Sequence, residues 1–332
     1  MARAFTAWTA DWPVIAGVLV AGGLYLAGLR RVRRGGGDWP AARAVCFLAG
    51  GLGLTVIATM SFPGVYERVL FTARAVQTVL LLLAAPLFFA LGRPLSLAIA
   101  TLPRLGPRLA AAVDSRTARV LTFPAVTAGV LVIVPFLFYF TSWYQAGLTS
   151  GVVAHLSYLA LLAPGGVFFW TLLRVDPVPK AYPYLVSLWV TGAEVVGDAM
   201  LGIAIMADQH LIAGGYYLAL GRPWGPGLRT DQVIGGGALW ILGDLVGLPF
   251  LAAQLIQMVK EDGAEAALID AELDAAEAAA TAELGTAAAA AAGAGSAGSG
   301  PAGSGPAGTG GSQPWWRDDP RFTGRFRRPG SG

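Results

Sequence analysis

Between residues 194 and 210 the chain reads EVVGDAMLGIAIMADQH, which sets carboxylates, methionines and a histidine inside, or at the end of, a segment otherwise suited to lipid. At about 100° per residue, Glu194 and Asp198 share a helical face, Asp208 falls near it, and Met206 and His210 form a second i,i+4 pair. An acid at the middle of a bilayer costs about 2.5 to 3.5 kcal/mol on insertion scales, so several of them either pair or handle protons or cations. With Met60, Met200 and His155, the same stretch also supplies the thioether and imidazole groups that suit Cu(I), at no diagnostic spacing. Without a metal, the methionines are packing filler, His210 is an exposed loop residue, and the acids tie helices together as hydrogen-bonded carboxyls.

The elements that must position these groups are membrane helices. Hydrophobic residues make up 55% of the chain and charged residues 13%, with a mean hydropathy of +0.60; a soluble domain carries about 25% charge. The single Cys46 rules out an intrachain disulfide and a two-cysteine metal clasp. Charge-poor runs predict an all-α bundle of seven transmembrane helices at 12–29, 44–62, 75–92, 120–141, 152–173, 183–207 and 232–259. The run 120–173 is too long for one span and is expected to turn at SWYQAGLTSG, 142–151. Alternate connections and the tail hold eighteen of the 23 Lys and Arg. By the positive-inside rule this puts the N-terminus outside a bacterial-type plasma membrane and the C-terminus in the cytoplasm.

Connection 93–119 has apolar pieces too short to span and is expected to lie on the cytoplasmic interface, while 208–231 folds over the outer mouth. Residues 261–284 read as an acidic, alanine-rich helix and 285–312 as a flexible Ala/Gly/Ser/Pro linker. The segment 313–332 interleaves aromatics with arginines and suits contact with anionic lipid or a partner rather than nucleic acid. Phosphate-cradling loops and serine nucleophile elbows are missing from the sequence, which argues against an enzyme. Gly50, Gly51 and Gly53, and Gly235 to Gly237, read as close helix contacts.

This topology fixes depth. Met60, Arg74, Gln77 and His155 belong at the outer ends of their helices, as do Asp198, Met200, Met206, Asp208 and His210, with Asp231 and Gln232 opening the last span. Glu194 and Asp244 each sit about 13 residues from an outer helix end, near 20 Å at 1.5 Å per residue, and are expected to meet at mid-membrane depth. Arg74 is expected to reach a carboxylate near the outer face.

The order and spacing of WPAARAVCFLAG (39–50), TARAVQTVLLLLAAPLFFALGRPLSL (72–97), HLSYLALLAPGGVFFWTLLRVDPVP (155–179), GDAMLGIAIM (197–206) and DQVIGGGALWILGDL (231–245) resemble the multi-pass CtaG-type cytochrome c oxidase assembly proteins. The likeness runs from residue 12 to about 262. It implies a role in haem-copper oxidase biogenesis, with oxidase subunits as partners and copper as the handled ion. Set against that family's pattern, the third helix carries Arg74, Ala75, Gln77 and Thr78, of which Gln77 matches. His155 matches the first of two histidines in the fifth helix, Leu159 replaces the second, and Asp198 stands at a histidine position. Asp231, Gln232, Gly235, Gly236, Trp240 and Gly243 fit the last helix, with Asp244 in place of a glutamate. Three readings stay open: a copper-handling assembly factor, a metal-free scaffold of the oxidase, and a proton-coupled or metal ion transporter.

Overall fold

In a computed structural model, which describes residues 7–180 and 182–295, the chain is helical with no strand among the described residues. It divides into two compact units, Met1–Ala264 and Glu265–Gly332. Six helices are long and apolar enough to cross a membrane: α1 (Trp12–Arg34), α2 (Ala41–Tyr66), α3 (Phe71–Leu91), α9 (Gly151–Leu173), α10 (Tyr184–Ala207) and the Leu228–Lys260 part of α12 (Leu228–Gly295). A seventh span forms when α7 (Pro124–Phe140) and α8 (Ser142–Thr149), bent by 69° at Thr141, are counted together. Three short helices, α4 (Pro94–Thr101), α5 (Gly106–Val113) and α6 (Arg116–Leu121), fill the basic connection, and α11 (Gly214–Leu220) lies in the loop before α12.

The expected turn at 142–151 is instead mostly helix. Thr141 and Ser150 break the chain on either side of α8, and their hydroxyls accept from the Trp143 and Val153 amides, so each new helix starts on a capped N–H. Capping substitutes for the loop that the cluster of polar and glycine residues signals. Residues 261–284 are helical, and residues 285–295, read from sequence as linker, continue the helix because Ala287 to Ala292 carry the best helix-forming side chain. The rest of that linker, the segment 313–332 and Arg3 lie outside the described residues.

The core sits between α3, α7, α9, α10 and α12, where Leu81, Phe138, Phe168 and Ile205 are 0% exposed. Large apolar residues on the outer faces, such as Leu19, Leu159 and Trp189, are exposed and meet lipid in a bilayer. Gly50 and Gly51 admit the rings of Phe88 and Phe89. The crossing of α10 and α12 depends on two more glycines: a Cβ on Gly202 would lie 2.7 Å from the Gly236 carbonyl oxygen, and one on Gly236 would lie 2.8 Å from that of Gly202. Backbone cannot yield as a side chain does. Gly202→Val is therefore expected to cost about 1–3 kcal/mol or more, read as a lower Tm in detergent.

Candidate functional site

At the end of the bundle where α1 begins, a polar vestibule of about 390 Å³ opens between α1, α2 and α9. Asp11, Thr59, Glu67, Arg68, His155 and Tyr158 supply its polar wall. The His155 ring makes two short contacts: Nδ1 is 2.6 Å from the Gly151 carbonyl, and Nε2 is 2.9 Å from both Asp11 oxygens. A carbonyl only accepts, so Nδ1 carries hydrogen, and a further proton lies between Nε2 and the Asp11 carboxyl. Asp11 also caps α1 through the Val14 amide.

Behind the vestibule lies Arg74, 1% exposed. It sits one turn into α3, and its Nη1 donates to Glu67 Oε2 at 2.6 Å and to Gln77 Oε1 at 2.8 Å. Glu67 Oε2 also accepts from the Tyr158 hydroxyl at 2.7 Å, and Gln77 Nε2 donates to the Ala58 carbonyl. Nε and Nη2 of Arg74 have no hydrogen-bond partner among the described residues. The rings of Phe138 and Tyr158, with centroids 5.1 and 5.7 Å from the guanidinium carbon, offer their negative faces to the cation.

A second polar group lies midway along α10. Glu194 and Asp198 are one turn apart, 2% and 9% exposed, and both carboxyls face α12, Glu194 Oε2 lying 3.4 Å from where a Cβ on Gly247 would stand. Asp244 on α12 follows Gly243, against which Asp198 packs. Its Oδ1 is buried without a partner among the described residues. Asp198 is pressed against α12, with Oδ2 only 2.6 Å from where a Cβ on Gly243 would stand. Gly243 is thus needed for the carboxyl to fit.

The structure brings together some of the sequence-predicted residues and separates others. Glu194 and Asp198 share a buried face toward the stretch of α12 that carries Asp244, and Arg74 pairs with Glu67. The soft ligands do not converge: Met60 is buried beside the α2 break, Met200 is 60% exposed on the lipid side, and the Met206 sulfur packs 3.8 Å from a Cβ position on Gly237. His210 is exposed and pairs with Asp208 at 3.3 Å. Among the described residues no three His, Cys, Asp or Glu side chains are grouped to hold a metal ion. Leu159, one turn beyond His155, points outward at 63% exposure.

Asp231 and Gln232 are stitches. Asp231 accepts from the Phe71 and Thr72 amides at 3.0 and 3.1 Å and from the Thr72 hydroxyl at 2.6 Å, capping α3 from a distant helix. It also pairs with Arg222 at 3.4 Å, both side chains nearly fully buried. Gln232 fastens the loop before α11 by accepting from Ile212 N and donating to the His210 carbonyl.

Sequence reading missed Asp11, Glu67 and a row of hydroxyls. Thr78 donates to the Arg74 carbonyl at 3.0 Å, which leaves it to accept from Tyr139 at 2.9 Å. Tyr144 and Tyr217 join hydroxyls at 2.8 Å. Burial pushes the pKa of Tyr217, in the α11 loop, above its ordinary value, so the phenol stays protonated. Tyrosines on apolar helices read as core in sequence, and the signal for Glu67 was only its seven-residue distance from Arg74.

A family model described as cytochrome c oxidase caa3 assembly factor matches residues 23–261, nearly the whole bundle. An uncharacterised protein of Mycobacterium leprae is 28% identical over 281 residues, covering 82% of this chain and 42% of its own length. Uncharacterised proteins of Mycobacterium bovis and Mycobacterium tuberculosis are each 28% identical over 284 residues, covering 83% of this chain and 43% of theirs. The chain thus spans less than half the length of these relatives. No solved structure matches it. With the matched region taking in six complete spans, counting α7 and α8 as one, and about half of α1, this multi-pass membrane protein belongs to the caa3-type cytochrome c oxidase assembly factor family.

Proposed function

We propose that the chain is a non-catalytic maturation factor for a haem-copper oxidase in a bacterial plasma membrane, with its N-terminus and vestibule facing outward. The observation that carries this reading is the family match across the bundle, 23–261. The excess of Lys and Arg in the connections at the opposite end supports the orientation. An oxidase subunit docks at the vestibule end, where the polar wall and the α11 loop offer groups for recognition.

Copper is the cargo in this reading, and the scatter of Met60, Met200, Met206 and His210 narrows its contact to the vestibule. His155, with Asp11 and Glu67 in the same wall, is the imidazole that meets an ion entering from water. Binding there competes with the proton that His155 shares with Asp11. In purified protein His155→Ala is expected to abolish copper binding, whereas Asp198→Ala and Met200→Ala leave the stoichiometry unchanged, as read by elemental analysis after gel filtration. Equal copper in wild type and His155→Ala removes the vestibule as the contact.

The cellular test is deletion of the gene followed by assay of cytochrome c oxidase activity with and without added copper. A loss restored by copper supports delivery. A loss that copper does not restore moves the function to metal-free scaffolding, and unchanged activity overturns the assembly role.

A further inference from the structure

Buried hydroxyls and carboxyls line up through the middle of the bundle in a way that packing does not require. The file begins at Tyr217 in the α11 loop, whose hydroxyl meets that of Tyr144 at 2.8 Å. Tyr144 packs on Tyr139 with ring centroids 5.3 Å apart, and Tyr139 donates to Thr78. These four side chains are 1–5% exposed.

Beyond Thr78 lies a small void of about 10 Å³, lined by Thr78 and Asp198 together with apolar side chains and Pro135. That is about the smallest probe volume that admits one water. Pro135 sits inside α7, lacks an amide, and lines the same void. Asp198, nine-tenths buried, therefore faces a water-sized space whose far wall is the end of the hydroxyl file.

On the other side of Asp198 the polar groups continue. Glu194 follows one turn along α10, then Thr191, 0% exposed, 3.1 Å from Gln254 Oε1 on α12. Gln254 is 5% exposed and its Nε2 has no partner among the described residues. Ser187, the next turn, accepts from Arg174 at the basic end of α9 at 2.8 Å. The column thus runs from the vestibule end to the opposite end of the bundle.

In hydrocarbon each unneeded polar group is a cost, and ionisable residues within spans mark ion or proton pathways. Phenylalanine, valine and leucine fill the same volumes as Tyr139, Thr78 and Asp198 without that cost. Two carboxyls one turn apart on one buried helical face are placed to hold a proton between them, which makes Glu194 and Asp198 a storage point. Asp244 on α12 follows Gly243, the residue against which Asp198 packs. We propose that this protein carries protons across the bilayer along this column, with the Glu194 and Asp198 carboxyls as its mid-membrane proton-binding pair. Protons pass within the two bonded pairs, Tyr217 with Tyr144 and Tyr139 with Thr78, rotation of the Tyr144 and Tyr139 hydroxyls carries the step between the pairs, and a water entering the void takes the proton from Thr78, which is re-protonated by Tyr139, and gives it to Asp198. The transported species is the proton, and the proposal stands apart from the oxidase reading.

The test uses the full chain in vesicles of phosphatidylcholine and phosphatidylglycerol that enclose a pH-sensitive dye, with a potassium gradient and valinomycin to drive protons inward. Wild type is expected to acidify the lumen several-fold faster than protein-free vesicles. Glu194→Gln and Tyr139→Phe, both near-isosteric, are expected to fall to the protein-free rate. Tyr139→Phe keeps the ring packing and removes one hydroxyl, so it reads the file even where a change in the carboxyl pair disturbs folding. Wild type at the protein-free rate, or both variants at the wild-type rate, overturns the proposal.

Discussion

Glu67→Leu is expected to lower the stability of the bundle by about 3–5 kcal/mol, the usual cost of removing one partner from a buried ion pair. Glu67 Oε2 holds two donors, Arg74 Nη1 at 2.6 Å and the Tyr158 hydroxyl at 2.7 Å, so the substitution orphans both. Arg74 already has two nitrogens without a partner and is 1% exposed, which leaves its charge only Gln77 and two aromatic faces. Glu67→Gln keeps an acceptor for one donor but loses the negative charge, and is expected to fall between wild type and leucine. The double variant Glu67→Leu with Arg74→Met removes both charges and should recover much of the loss. Thermal unfolding in detergent, followed by tryptophan fluorescence, measures all of these. A single variant as stable as wild type would show that the pair is solvated and that Arg74 is not the fixed cation of the bundle.

Asp231→Ala carries the second large effect, for a different reason. Its carboxylate closes the first turn of α3 by accepting from the Phe71 and Thr72 amides, a role worth about 1 kcal/mol for a side-chain cap. It is also the counter-ion of Arg222, which in addition donates to the carbonyls of Val69 and Pro226 and lies over the Trp224 ring. Loss of both is expected to total about 3–5 kcal/mol. The effect should be local in origin: hydrogen exchange is expected to rise first at the start of α3 and in the α11 loop, because Asp231 bonds the first turn of α3 and, through Arg222, that loop. Asp231→Asn keeps an acceptor for the cap but not the charge, so it separates the two contributions. Uniform loss of protection across the bundle would contradict this picture.

The vestibule, the Arg74 cluster and the carboxyl pair differ in how they meet solvent. His155 reaches the open vestibule and exchanges its proton with water directly. Arg74 is held by Glu67 in the turn after α2, by Gln77 on α3 and by the Tyr158 ring on α9, so it orders the helices around it. Glu194 and Asp198 are buried away from that vestibule. The two proposals therefore have separable assays, copper binding read at His155 and proton movement read at Glu194.

How much of this was legible in sequence varied with the physics involved. Spans follow from transfer free energy summed over about 20 residues, a local quantity, and the six long helices fall where the charge-poor runs lie. The seventh was harder to place, since capping by Thr141 and Ser150 made a bent helix out of residues with loop-like chemistry. Glu194 and Asp198 declared themselves because an i,i+4 spacing sets two carboxyls on one helical face whatever the neighbours are. The convergence of Asp244 on them required only a shared depth. By contrast, Met60, Met200 and Met206 carry the right atom for copper, and helix rotation within the bundle decides where each sulfur points.

Composition, periodicity and charge asymmetry determined the class of the protein, its helices and the depth of its acids, because the bilayer acts on every residue alike. Only the tertiary structure decided that Glu67 and not a deeper acid neutralises Arg74, and that Asp231 caps a helix 160 residues away from it. It also decided that four scattered hydroxyls stand in a file ending at Asp198. Those facts depend on which faces of α3, α7, α10 and α12 turn toward one another, and that is set by glycine contacts and ring packing between distant segments, which no local window of sequence contains.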